Sequence, residues 1–92
     1  MQVRWTTSAA SDLEHIADYL FGKTPQNAAR LIREICDAIF ALRNYPSRGR
    51  QGKKSGTREL VLSSLPYVVV YKITGDALHI IRILHGAQDW PR

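Results

Sequence analysis

Cysteine is nearly absent. Cys36 is the only one in 92 residues, so no disulfide can form within the chain, and a reducing compartment is expected. No Cys/His cluster has the spacing of a zinc site, so neither a metal nor another cofactor is expected. No stretch approaches the roughly 20 apolar residues that cross a bilayer. The opening "MQVRWTTSAASDLEHI" lacks a basic region followed by a long apolar run, the mark of a secretory signal. No membrane partner is therefore expected, and the expected location is cytoplasmic. Repeats and low-complexity segments are missing too. The length suits one domain, residues 1–92, with one modest core.

Acidic residues are scarce in one place above all. Arg43, Arg48, Arg50, Lys53, Lys54 and Arg58 fall in a short span without a single Asp or Glu. The formal net charge is +5 and the sequence pI is about 9.8. That balance favours an acidic partner, either nucleic acid or an acidic protein. The bland alternative is a solvated basic loop.

What is present reads as six elements. "QVRWT" (2–6) alternates Val3 and Trp5 with polar residues, as a short strand does. Thr7 or Ser8 then reads as a helix cap, and Ser11-x-x-Glu14 as a capping box one turn later. Asp12 and Glu14 suit the positive end of that helix. Ala9, Leu13, Ile16, Ala17 and Leu20 make a buried stripe. Gly22 reads as a left-handed end. Thr24 and Pro25 then start a second helix, whose stripe is Ala28, Leu31, Ile32, Ile35, Ile39 and Leu42 and which Pro46 stops. The segment 47–56 reads as loop. "TRELVL" (57–62), "YVVVYKI" (67–73) and "ALHIIRILH" (77–85) follow with turn residues between them, an antiparallel meander. The expected class is α+β: an N-terminal strand, then an antiparallel helical hairpin on one face of a small, mainly antiparallel sheet (β-α-α-β-β-β).

Helices cover only one face of such a sheet, so the other is either partly polar or covered by a partner. Alternation puts Ile80, Arg82 and Leu84 on one face of the last strand and His79, Ile81, Ile83 and His85 on the other. Lys72 and Arg82 are the cations expected to define the open face, joined by Arg58, because an unpaired charge is costly to bury. His85 is either a half-exposed strand-end residue or a proton-transfer or contact group. Trp90 reads as a cover for the sheet edge, and Asp89 as a solvated charge or a partner for Arg82.

The order and spacing of these pieces resemble the RelE/ParE superfamily of bacterial toxins across nearly the whole chain. The most specific pieces are Ala9, Asp12, Leu13 and Ile16 in "A-x-x-D-L-x-x-I" and the strands "YVVVYKI" and "IIRILH". The resemblance implies the toxin of a type II toxin–antitoxin module, an antitoxin encoded by the adjacent gene and a hetero-oligomer of the two. It also implies one of two targets. ParE-like members act on DNA gyrase; RelE-like members cleave messenger RNA on the ribosome, without metal. The second chemistry needs cations and a proton-transfer group, which Lys53, Lys54, Arg58 and Arg82 with His85 or Glu59 would supply. Relatives of that kind use a C-terminal tyrosine, and Trp90 stands here instead, where indole is neither acid nor base. The helices and the "IIRILH" ending look more like ParE-type members, so gyrase is placed first. A non-catalytic basic binding module or degenerate toxin is the remaining alternative.

The expected catalytic or target-contacting residues are thus Arg58, Lys72, Arg82 and His85, with Arg48, Arg50, Lys53, Lys54 and Trp90 as further nucleic-acid or target contacts. For the antitoxin, a second apolar strip beside each main stripe offers Ala17, Phe21, Cys36 and Phe40, flanked by Arg33. Helix–helix packing is the other use of that strip.

Overall fold

The computed structural model describes residues 1–86 and contains seven elements. They are β1 (Gln2–Trp5), α1 (Thr7–Lys23), α2 (Pro25–Ala41), β2 (Arg50–Gln51), β3 (Arg58–Val61), β4 (Tyr67–Thr74) and β5 (Ala77–His85). The strands form one sheet in the order β1-β5-β4-β3-β2. β1 runs parallel to β5, and every other pair is antiparallel. The expected α+β class and helical hairpin are present. β2 corrects the expectation that 47–56 is all loop. Two polar residues at a sheet edge carry no apolar alternation, yet Arg50 and Gln51 pair with Glu59 and Arg58.

The helices start and stop differently in detail. Thr6, not Thr7 or Ser8, caps α1: its backbone is extended and its hydroxyl accepts from the Ala9 N–H at 3.0 Å. The same hydroxyl reaches the Ile80 and Ile81 carbonyls, both at 3.0 Å, so the first turn is tied to β5. A cap that early leaves Ser11 and Glu14 inside the helix, where they form no capping box. Gly22 is also inside α1; among the described residues only Gly56 and Gly75 have positive φ. Thr24 ends α1 through its N–H to the Leu20 carbonyl, 2.8 Å, and is at once the N-cap of α2. Pro25 at the first helical position needs no amide partner there. The hairpin therefore turns on one residue.

Ala9, Ile16 and Leu20 of α1 and Ala28, Ile35 and Ile39 of α2 are buried against Leu60, Tyr67, Val69, Tyr71, Leu78, Ile80 and Ile83. The expected stripes are those faces. Gly75, φ 61°, opens the two-residue turn between β4 and β5, a conformation L-residues avoid. Val70 opposes Arg82 while Tyr71 opposes Ile80, so Ile81 is the extra residue of a bulge. Strict alternation fails there. Ile80 and Ile83 both enter the core, and Ile80, Arg82 and Leu84 do not share one face.

Candidate functional site

β1 covers β5 only as far as Ile80. Beyond it Asp12 of α1 takes over the strand's edge. Its carboxylate accepts from Arg82 Nε at 2.7 Å, Arg82 Nη2 at 3.0 Å and the Ile83 N–H at 2.9 Å. Two parallel bonds from one guanidinium make a fork, the strongest form of this pair. The bond to Asp12 holds the Arg82 guanidinium charged more firmly than usual, against the opposing pull of burial. Arg82 is thus turned to α1 rather than standing on the open face. Asp89, the partner weighed from sequence, lies outside the described residues, as does Trp90. The sequence signal for Asp12 is its place: three residues after the buried Ala9, it lies beside the apolar stripe of α1, where a carboxylate requires a donor.

The basic segment is a built structure. Tyr71 is fully buried on β4; its hydroxyl donates to the Pro46 carbonyl at 2.6 Å and accepts from the Gly49 N–H at 2.9 Å. Arg58 Nη1 donates to the Gly49 carbonyl at 2.8 Å and the Ser47 carbonyl at 3.3 Å. Arg58 therefore shares the side of Leu60 and Tyr71 at the sheet's edge and does not join Lys72. Glu59, 7% exposed, accepts from Arg50 Nε at 3.1 Å, Arg50 Nη2 at 2.9 Å and the Lys53 N–H at 3.3 Å. Buried charge is tolerated there because each carboxylate oxygen has a donor. Arg48, Lys53 and Lys54 are exposed, and their side chains make no hydrogen bond or ion pair among the described residues.

On the sheet face away from the helices, Lys72 is exposed opposite His79. A concavity of about 80 Å³ is lined, among the described residues, by Arg50, Lys53, Glu59, Val70, Leu84 and His85. His85 also meets the edge of Tyr67, with ring centroids 6.0 Å apart and planes at 89°. Burial, followed by the nearby Tyr19, pushes the Tyr67 phenol above its usual range. Arg50, Lys53 and His85 are brought together; Arg58, Lys72 and Arg82 are not. Of the strip on the helices, Phe21 and Phe40 are about half exposed, Ala17 and Cys36 half-buried and Arg33 exposed. Arg43 stacks its guanidinium 5.2 Å from the Phe40 ring centre. Tyr19 and Tyr45 are exposed as well and were not singled out from sequence. Among the described residues no helix is long and apolar enough to cross a membrane, and no group of three or more His, Cys, Asp or Glu could hold a metal ion.

Residues 3–90 match the family described as the ParE toxin of type II toxin-antitoxin system, parDE. The putative toxin Y4kP of Sinorhizobium fredii is 40% identical over 91 residues, covering 99% of this chain and 94% of that protein. Toxin RelE2 of Caulobacter vibrioides is 39% identical over 87 residues, covering 95% of this chain and 97% of that one. Among solved structures, a chain of the chromosomal ParDE TA system from P. aeruginosa superposes with a TM-score of 0.85 at 27% identity. That match covers 92% of this chain and 95% of the other.

Proposed function

The chain belongs to the ParE toxin family of type II toxin–antitoxin systems, and on that premise we propose that it arrests growth by acting on DNA gyrase. Its family implies a cognate antitoxin as partner. We assign target contact to the basic segment, through Arg48, Arg50, Lys53 and Lys54, with His85 beside Arg50 and Lys53; Arg58, Lys72 and Arg82 stand apart from that cluster and are proposed as separate contacts. The observation that carries the choice of gyrase is the state of the carboxylate in the concavity that Arg50, Lys53 and His85 share. Glu59, the carboxylate in its wall, already accepts three hydrogen bonds and is not available to take a ribose proton.

A second reading is ribosome-dependent cleavage of messenger RNA. Two observations favour it: Arg50, Lys53 and His85 line one concavity, and the relative at 39% identity carries the name RelE2. One pair of experiments separates the two. Purified toxin added to a gyrase supercoiling assay should inhibit it or trap cleaved DNA. Primer extension on message from induced cells should show no new codon-phased ends. New ends with unaffected supercoiling refute the gyrase reading. Unimpaired growth with folded toxin present refutes both.

The antitoxin is assigned to the helical hairpin, over Ala17, Phe21, Cys36 and Phe40 with Arg33 beside them. Two half-exposed phenylalanines support this, since apolar rings in water are what an amphipathic partner helix covers.

A further inference from the structure

We propose that the segment from Pro46 to Arg58 is a preformed element for gripping the phosphate backbone of duplex DNA, held in its working shape by Tyr71 and Glu59. The choice of duplex DNA rests on the gyrase reading, because gyrase works on a DNA segment.

The charge is concentrated. The six cations from Arg43 to Arg58 exceed the chain's net charge of +5, so the rest of the chain is slightly acidic. Those cations divide by role. Arg58 supports the loop backbone, Arg50 is paired with Glu59, and Arg43 folds over Phe40. Arg48, Lys53 and Lys54 are left pointing outward with no acceptor among the described residues.

The frame beneath them is fixed at several points. Tyr71 holds Pro46 and Gly49, and Arg58 holds Ser47 and Gly49. Glu59 holds the Lys53 N–H, and the Gly52 N–H meets the Thr57 carbonyl at 2.8 Å. Neither glycine has room for a side chain. A Cβ on Gly49 would lie 2.7 Å from the Tyr71 hydroxyl, and one on Gly52 would collide with the Thr57 hydroxyl. A cationic segment with this much internal support loses little freedom when it binds.

The chemistry of the ligand follows. The segment offers exposed donors and no exposed carboxylate, so it complements a surface that offers only acceptors. Protein surfaces mix both, and lysine is depleted at protein–protein interfaces. Phosphate backbones offer acceptors alone and are contacted chiefly by Arg, Lys and backbone N–H groups.

The test is fluorescence anisotropy of a short labelled DNA duplex titrated with the purified chain across a salt series, without gyrase. Three outward cations predict a slope of log K against log salt of about −3. Lys53→Gln with Lys54→Gln should bring the slope to about −1. Tyr71→Phe should weaken binding several-fold at an unchanged slope, because it loosens the frame and removes no charge. Circular dichroism and antitoxin capture check that each variant is folded. No duplex binding at low salt overturns the proposal, and so does tighter binding to single-stranded RNA. A wild-type affinity for folded Tyr71→Phe overturns the supporting role. Loss of affinity for DNA-free gyrase in the lysine variant, with duplex binding intact, assigns the segment to an acidic protein surface and also overturns it. Duplex binding by a toxin that leaves supercoiling untouched supports the grip and refutes the gyrase reading.

Discussion

Removing the Asp12 carboxylate should be among the most damaging single changes in the described chain. Asp12→Ala leaves three donors without their acceptor, two on Arg82 and one on the backbone of Ile83. Hydrogen bonds to a charged group contribute about 1.5–3 kcal/mol each, and breaking a buried ion pair costs about 3–5 kcal/mol. Arg82 keeps 33% of its side chain exposed, so water recovers part of that loss. The expected cost is about 2–3 kcal/mol, against a total stability of about 5–15 kcal/mol for a domain of this kind. In a thermal melt that is a fall of roughly 10–20 °C. Asp12→Asn, equal in size, should cost less than Asp12→Ala, because its amide oxygen can keep the bonds from Arg82 Nε and the Ile83 N–H while the charge is lost and the amide nitrogen faces Arg82 Nη2. The double variant Asp12→Ala/Arg82→Ala should cost less than the two singles added, with a coupling of about 1–2 kcal/mol. Strictly additive losses, or an Asp12→Ala melt within a few degrees of the parent, would refute the reasoning. The same variants divide structure from toxicity at Arg82. If Arg82 also touches the target, growth arrest is lost in Arg82→Ala and kept in Asp12→Ala at a temperature where both are folded.

Phe40→Asp should fold, because the ring is 47% exposed and outside the buried core; losing its half-buried apolar surface and the stacking contact with Arg43 should cost about 1–2 kcal/mol. Its affinity for the antitoxin, read by titration calorimetry, should fall at least tenfold; an unfolded variant would place Phe40 in the core instead. Gly49→Ala should lose about 1–3 kcal/mol in urea unfolding, since its methyl group would press on Tyr71 and on the Glu59 carbonyl. A loss below about 0.5 kcal/mol contradicts that contact. The contribution of Cys36 and Tyr67 to stability should be level from neutral pH to about pH 9 and decline above it. Burial, and then Asp37, raises the Cys36 thiol above its ordinary 9.0, and burial raises the Tyr67 phenol above 10.0. Both groups ionise first in the unfolded chain, so unfolding releases protons and is favoured as pH climbs. Chemical denaturation midpoints across pH 8 to 11 check this, and a constant midpoint contradicts it.

The helices were legible because their evidence is periodic. Ala9, Ile16 and Leu20, and Ala28, Ile35 and Ile39, repeat at helical spacing and are the residues the core buries. What failed was whatever depends on contact between distant positions. The bulge at Ile81 hides in "IIRI", where any register looks equally apolar. Thr6 outcompetes Thr7 and Ser8 as cap because it also bonds the Ile80 and Ile81 carbonyls, which no local pattern announces. β2 is two polar residues whose pairing is fixed by Glu59, nine residues on from Arg50. Arg82 was recognised as a mid-strand cation in need of a reason, but the reason is 70 residues away on α1.

A charge inside a strand draws attention as a candidate contact, yet Arg58 and Arg82 spend their best-aligned donors inside the fold, on backbone carbonyls and on Asp12. Removing either one disturbs the frame as well as any contact, so loss of toxicity on its own does not identify a target residue. Arg48, Lys53 and Lys54 carry no such ambiguity, because the described fold makes no side-chain bond to them. Surface substitutions away from structural contacts cost within about 0.5 kcal/mol. If growth arrest falls when these three are neutralised while the melt stays put, the loss belongs to the target contact.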